Sequence, residues 1–379
     1  MVPERISELD TPCLLVEKSR VENNIKAMKS RISGLGAVLR PHVKTTKSLD
    51  CARMLFGSGS GPITVSTLRE AEYFFGGGFS DILYAVSIVP AKLPRVHLLQ
   101  QAGADIKIIL DSLETAAAVA SYGTAHATRF KVFIEIDCDR HRAGLRPDDP
   151  RILEIAALLV ENTATDFTGI LTHAGEAYAC KTVDEIKAHA RLERDSLRTV
   201  AGRLGEAGTP TPCTSVGSSP TARFYDHLDG IDEVRAGVFV FQDLFQRGLG
   251  TCSADDIAMS VLTSVISHRS DQGRLFIDAG ALALSKDRGT ASQQEDCFYG
   301  LVCGADGKLI EGLVVEGVNQ EHGTVTARTG EIDFAKYPIG SLLRILPNHA
   351  CMTAAAHAGY HVLDAGGSIE EYWPRCTGW

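Results

Sequence analysis

The sequence is short of the features that mark exported, membrane-spanning or nucleic-acid-binding chains. No apolar run is long enough to cross a bilayer, and the opening Met1-Val2-Pro3-Glu4-Arg5-Ile6 has no apolar core of the kind a secretory leader needs. Basic residues are the minority: 38 Lys and Arg against 47 Asp and Glu leave a net charge of −9, which argues against a nucleic-acid or anionic-membrane partner. The ten cysteines are scattered and contain no CxxC pair, so they read as reduced thiols in a cytoplasmic protein. No GxGxxG follows the first strand of the repeating region, which removes the main support for an open dinucleotide-binding sheet.

What is present is an ordinary globular composition, 44% apolar and 22% charged, in 379 residues, enough for two domains. Thr11 to Val16 reads as a strand, and a helix follows from about Lys18, with Val21, Ile25, Met28 and Ile32 at helical spacing. A rhythm then sets in. Short apolar runs at 37–40, 62–66, 81–86, 106–111, 131–136, 169–172, 213–216 and 234–240 alternate with helical stretches such as 67–75, 113–120, 152–160 and 183–207. Alternating strands and helices mean a parallel sheet, and eight repeats match a (β/α)8 barrel over residues 18–245. From 246 to 379 strand-like runs at 261–267, 274–278, 313–317, 323–327 and 342–346 are separated by turns, which predicts a mostly-β domain that the strand within 1–17 would join.

Barrel chemistry sits at the C-terminal ends of the strands. After the first run comes Arg40-Pro41-His42-Val43-Lys44, where Pro41 ends the strand and leaves Lys44 just past its tip. A lysine amine there can form a Schiff base with a carbonyl or an aldehyde cofactor, although the segment read alone is equally a basic surface loop. The fifth strand leads to Arg142, able to hold a carboxylate or phenolate oxygen or to pair with Asp148 or Asp149; the sixth ends at His173 and leads to Tyr178. Gly217-Ser218-Ser219-Pro220-Thr221 follows the seventh and offers backbone N–H groups suited to a phosphate, or else a plain helix cap. In the second domain His349 and Cys351 lie two apart, so an extended backbone turns both to one face, where imidazole and thiolate suit Zn2+ or a similar cation.

These runs, with Thr64 to Glu72, Leu171 to Gly175, Val234 to Gly237, Gln320 to Gly323 and Pro347 to Cys351, span nearly the whole chain in order. In that order the sequence resembles the fold-type III pyridoxal phosphate enzymes, the alanine racemase-like barrels, and within them the D-serine dehydratase and D-threonine aldolase branch. The resemblance implies that Lys44 is the Schiff-base lysine and general base, and that His42, Arg142, His173, Tyr178, Gly217, Ser218 and Thr221 line the pyridoxal phosphate site. It implies a divalent metal, Zn2+ or Mn2+, on His349 and Cys351, and a homodimer. The His-x-Cys pair is similar to the dehydratases, since the aldolases carry Asp at the second position. The expected reaction is therefore loss of water from a D-3-hydroxy amino acid such as D-serine or 3-hydroxyaspartate, giving a 2-oxo acid and ammonia. Retro-aldol cleavage, racemisation and a non-catalytic cofactor carrier are the alternatives. Glu176 and Phe239 depart from the branch, which has a small or hydroxyl residue and a tyrosine there.

Overall fold

A computed structural model of the chain describes residues 4–57 and 59–379. It divides into two compact units: one comprises the residues up to Lys26, Thr45–Cys51 and Val238–Thr377; the other comprises Ala27–Lys44, Ala52–Gly237 and the last two residues. The first strand, β1 (Cys13–Glu17), belongs to the former.

The second unit is the barrel. Its strands are β2 (Val38–Leu39), β3 (Ile63–Val65), β4 (Asp81–Ser87), β5 (Asp105–Leu110), β6 (Phe130–Ile136), β7 (Thr165–Thr172), β8 (Thr214–Val216) and β9 (Glu233–Val234). All pair in parallel, in the order β2-β9-β8-β7-β6-β5-β4-β3. The two ends of that sheet meet through a parallel bridge between His42 and Thr64, with Val43 N–H donating to Thr64 at 2.9 Å and Thr64 N–H to Pro41 at 2.9 Å. Parallel strands covered on both faces are apolar throughout, and Ile106, Ile108, Ile109 and Leu110 are each buried. The final apolar run, 234–240, is only partly strand: β9 stops at Val234, and Val238–Val240 is a 3-10 turn. A short continuous apolar run does not distinguish the two, because both are buried. Thr67, Ser112 and Thr182 cap three of the outer helices through their hydroxyls, the last in a reciprocal box with Glu185.

Because side chains alternate along each strand, every second residue enters the barrel, and these form layers. At the N-terminal end Arg40 pairs with Glu233 and Asp81 at 2.7 Å each, while Lys107 bridges Asp81 and Asp105. Above it Leu83, Ile109, Phe133 and Leu171 form a dry layer. Truncating Phe133 to alanine there would cost about 3–5 kcal/mol. The residues next in line, among them His42, Glu135, His173, Gly217 and Arg235, lie at the opposite mouth.

In the other unit, β1 joins β10 (Met259–Arg269), β11 (Arg274–Ile277), β12 (Leu301–Gly304), β13 (Leu309–Val318), β14 (Gly323–Ala327), β15 (Leu342–Leu346), β16 (Gly359–Leu363) and β17 (Ile369–Pro374). The sheet runs β11-β14-β13-β12-β15-β10-β1-β16-β17, mostly antiparallel, with β1 parallel to β16 and antiparallel to β10. One core lies on Leu244, Ile257, Cys297, Leu301, Cys303, Val314 and Leu346, another on Leu15, Leu262 and Leu363. Among the described residues no helix is long and apolar enough to cross a membrane.

Candidate active site

At the barrel mouth, Lys44 stands two residues past the His42–Thr64 bridge, and its side chain is exposed. His42 Nδ1 faces the Lys44 N–H at 3.5 Å and its Nε2 faces Ser66 Oγ at 3.4 Å. Burial, then the charges of Lys44 and Arg235, hold this imidazole well below the ordinary histidine range, so His42 is neutral. His173, at the end of β7, donates from Nδ1 to the Gly217 carbonyl, leaving Nε2 as an acceptor. Burial, followed by Arg142, keeps it neutral too. Tyr178 lies with its ring 6.0 Å from that of His173, and its hydroxyl accepts the Ser219 N–H at 3.4 Å. Arg142 is exposed in the loop after β6; Asp148 and Asp149 pair instead with Arg146 and Arg151.

The turn after β8 is built around its own bonds. Ser218 Oγ caps the Ser219–Phe224 helix by accepting the Thr221 N–H at 3.3 Å, and it lies 2.8 Å from Thr221 Oγ1. Gly217 has no room for a side chain, since a Cβ would stand 2.4 Å from the Arg235 carbonyl. The two hydroxyls of the phosphate motif therefore shape the turn, and three of its N–H groups are themselves bonded: Gly217 to Glu193, Ser219 to the Tyr178 hydroxyl and Thr221 to Ser218 Oγ. Two residues without a role in the sequence reading complete this mouth. Arg235 is buried and donates to Ser215 Oγ and the Thr172 carbonyl. Glu193, fully buried, accepts from Ala174 N–H, Gly217 N–H, Thr221 Oγ1 and the Tyr225 hydroxyl. It thereby ties the loop that follows His173 to the turn at Gly217. Nothing in local sequence marks Glu193: it is one acidic residue in a charged helix. Glu176 pairs with His141 at 2.8 Å, and Gly175 leaves space for that histidine ring.

A planar aldehyde cofactor with a phosphate fits this set of side chains: an amine, two neutral imidazoles, a phenol and an arginine.

The sequence-predicted metal pair lies in the other unit. His349 precedes the Ala350–Ala354 helix in extended conformation, and Cys351 is in its first turn. His349 Nδ1 lies 2.8 Å from Asp287 Oδ2, and the ring also hydrogen-bonds the Cys351 side chain. Burial, the largest influence, pushes the imidazole down, yet Asp287 and Cys351 outweigh it and bring it up to about 11. Thr45 Oγ1 lies 3.2 Å from Cys351 Sγ. Asp243, buried, receives the Gln246 and Ala350 N–H groups and so fixes the start of that helix. Among the described residues no three His, Cys, Asp or Glu side chains form a common ligand set, so the candidate ligands here are a pair. An imidazole nitrogen beside a thiol fits a borderline divalent cation that keeps open positions.

Residues 16–244 match the alanine racemase N-terminal domain, and residues 258–363 a putative serine dehydratase domain. Over 374 residues the chain is 46% identical to D-threo-3-hydroxyaspartate dehydratase of Delftia sp. (strain HT23), across 98% of each. The solved structure of that dehydratase matches with a TM-score of 0.97 at 45% identity, covering 99% of this chain and 100% of the other. D-serine dehydratase of Dictyostelium discoideum is 33% identical over 390 residues, 96% of each. Two solved variants of D-threo-3-hydroxyaspartate dehydratase, each 44% identical to this chain, carry alanine for a histidine and for a cysteine two positions further on. The second is described as a metal-free form. The chain therefore belongs to the alanine racemase-like family, in the branch whose barrel is followed by a D-serine dehydratase domain.

Proposed function

We propose that this protein is a pyridoxal phosphate- and divalent metal-dependent dehydratase acting on a D-3-hydroxy amino acid, D-threo-3-hydroxyaspartate or D-serine. Net, the substrate becomes a 2-oxo acid and ammonia: water leaves across Cα–Cβ, and water then replaces the amine nitrogen. The observation that carries this reading is the His349-x-Cys351 pair with Asp287 on its imidazole, in a chain 46% identical to a dehydratase. When bound, pyridoxal phosphate supplies the sink for the electrons left at Cα, and the metal supplies a Lewis acid for the departing β-hydroxyl.

The chain's own residues do the rest. Lys44 would anchor the cofactor, and its amine would take the proton from the substrate Cα as general base. His42 and His173, both neutral, border the ring without adding positive charge. Tyr178, Gly217, Ser218 and Thr221 belong to the phosphate end, and Arg142 serves the ring hydroxyl or the substrate carboxylate. His349 and Cys351 hold the cation, for which Zn2+ is the first choice and Mn2+ the second. The spacing of the two residues replaced in the solved dehydratase variants supports this pair. The protein is read as a cytoplasmic homodimer. The enzyme loaded with cofactor and Zn2+ should release ammonia from D-threo-3-hydroxyaspartate or D-serine and not from the L-enantiomers, and Lys44→Ala should release none. Equal ammonia from wild type and Lys44→Ala would remove Lys44 from the mechanism.

A further inference from the structure

We infer that Asp287 is the positioning residue of the metal pair: its carboxylate fixes the His349 ring so that Nε2 is the nitrogen presented beside Cys351. This rests on the metal reading above and adds a residue to it. Three observations carry it. First, the contact is made to Nδ1, at 2.8 Å, so the only ring nitrogen left for a cation is Nε2. Second, the carboxylate is itself held. Its other oxygen accepts the Gly289 N–H at 2.8 Å, and the Asp287 N–H donates to Ser285 Oγ at 3.2 Å. Gly289 can come this close because it has no side chain; a Cβ there would stand 2.7 Å from the Phe245 ring.

Third, the two loops are linked a second time, one residue before His349. The Thr290 N–H donates to Asn348 Oδ1 at 3.2 Å, and Asn348 Nδ2 donates to the Phe298 carbonyl. Asp287-Arg288-Gly289-Thr290 and Pro347-Asn348-His349, joined by contacts that span 58 and 62 residues of the chain, thus form one clamp on the imidazole. A carboxylate on the far nitrogen of a ligating histidine fixes its tautomer and orientation and raises its basicity toward the metal.

The competing reading is a plain ion pair. With side chains 38% and 26% exposed, such a pair contributes little to stability. The two readings therefore part on metal affinity. Wild type, Asp287→Asn, Asp287→Ala and His349→Ala are each stripped of metal and titrated with Zn2+ against a chromophoric chelator. Thermal melting and pyridoxal phosphate absorbance are recorded alongside. Asp287→Ala should bind Zn2+ about 10–100-fold more weakly, as loss of such a partner does. Asp287→Asn, which keeps an oxygen for the Nδ1 proton but not the charge, should fall between it and wild type. Melting and cofactor absorbance should stay at wild-type values in both. Wild-type Zn2+ affinity in both Asp287 variants, with His349→Ala impaired, would overturn the role of Asp287 alone. Wild-type affinity in His349→Ala would overturn the metal reading and this inference together.

Discussion

Replacing Glu193 tests whether one buried carboxylate holds the loops at the barrel mouth. Its Oε1 accepts the Ala174 and Gly217 N–H groups at 2.9 and 3.0 Å, and its Oε2 accepts Thr221 Oγ1 at 2.7 Å and the Tyr225 hydroxyl. In Glu193→Ala the two hydroxyls, 3.2 Å apart, can still bond to each other, but the two peptide donors cannot turn away. Each buried donor without a partner costs about 1–3 kcal/mol, so the pair sets a loss of about 2–6 kcal/mol. Glu193→Gln keeps an oxygen for both N–H groups and turns its amide toward hydroxyls that can accept, so its loss should stay near 1 kcal/mol. Urea denaturation of the cofactor-free protein measures both. Titration with pyridoxal phosphate should show at least about tenfold weaker binding for alanine, each 1.4 kcal/mol being tenfold, and little change for glutamine. An alanine variant that unfolds within about 1 kcal/mol of wild type would refute the reasoning.

Two further predictions follow from other parts of the molecule. Chelation should abolish turnover while the absorbance of the bound cofactor persists, and Zn2+ should restore it; full activity after chelation would remove the metal from the reaction. The ionic layer at the base of the barrel should fail in acid. Burial opposes the charges of Asp81 and Asp105, but Arg40 with Lys107, and Lys107 with Lys131, outweigh it and hold both carboxyls below the usual range. A depressed folded value means the stabilisation is complete above the unfolded aspartate pKa of about 3.9 and is lost as pH falls through the folded one. The urea midpoint should therefore drop below about pH 4 more steeply in wild type than in Asp81→Asn; parallel curves would contradict it.

The barrel was legible because a buried parallel strand leaves a dense signature. Ile106 to Leu110 and Phe130 to Ile136 are apolar enough to be seen without knowing their neighbours, and helices begin at Thr67, Ser112 and Thr182 with hydroxyl caps. In the β-rich unit β14 and β15 lie at the residues read as strands, 323–327 and 342–346. Strands β12, β16 and β17 went unread: Leu301–Gly304 is short and ends in glycine, and Ile369–Pro374 carries two glutamates within its run. Lys44, His173 and the His349–Cys351 spacing could be singled out as candidates because a reactive side chain at a strand end, or two ligand types two apart, can be read locally. Glu193, Arg235, Asp243 and Asp287 were not, because each acts through partners distant in sequence: the imidazole that donates to Asp287 lies 62 residues away. Only the fold shows what Asp287 touches.

The most direct measurement is identification of the carbon products from D-threo-3-hydroxyaspartate with the enzyme loaded with pyridoxal phosphate and Zn2+. Oxaloacetate, in equal amount to ammonia, is the result this account predicts. Glycine and glyoxylate would contradict it and assign the chain to carbon–carbon cleavage.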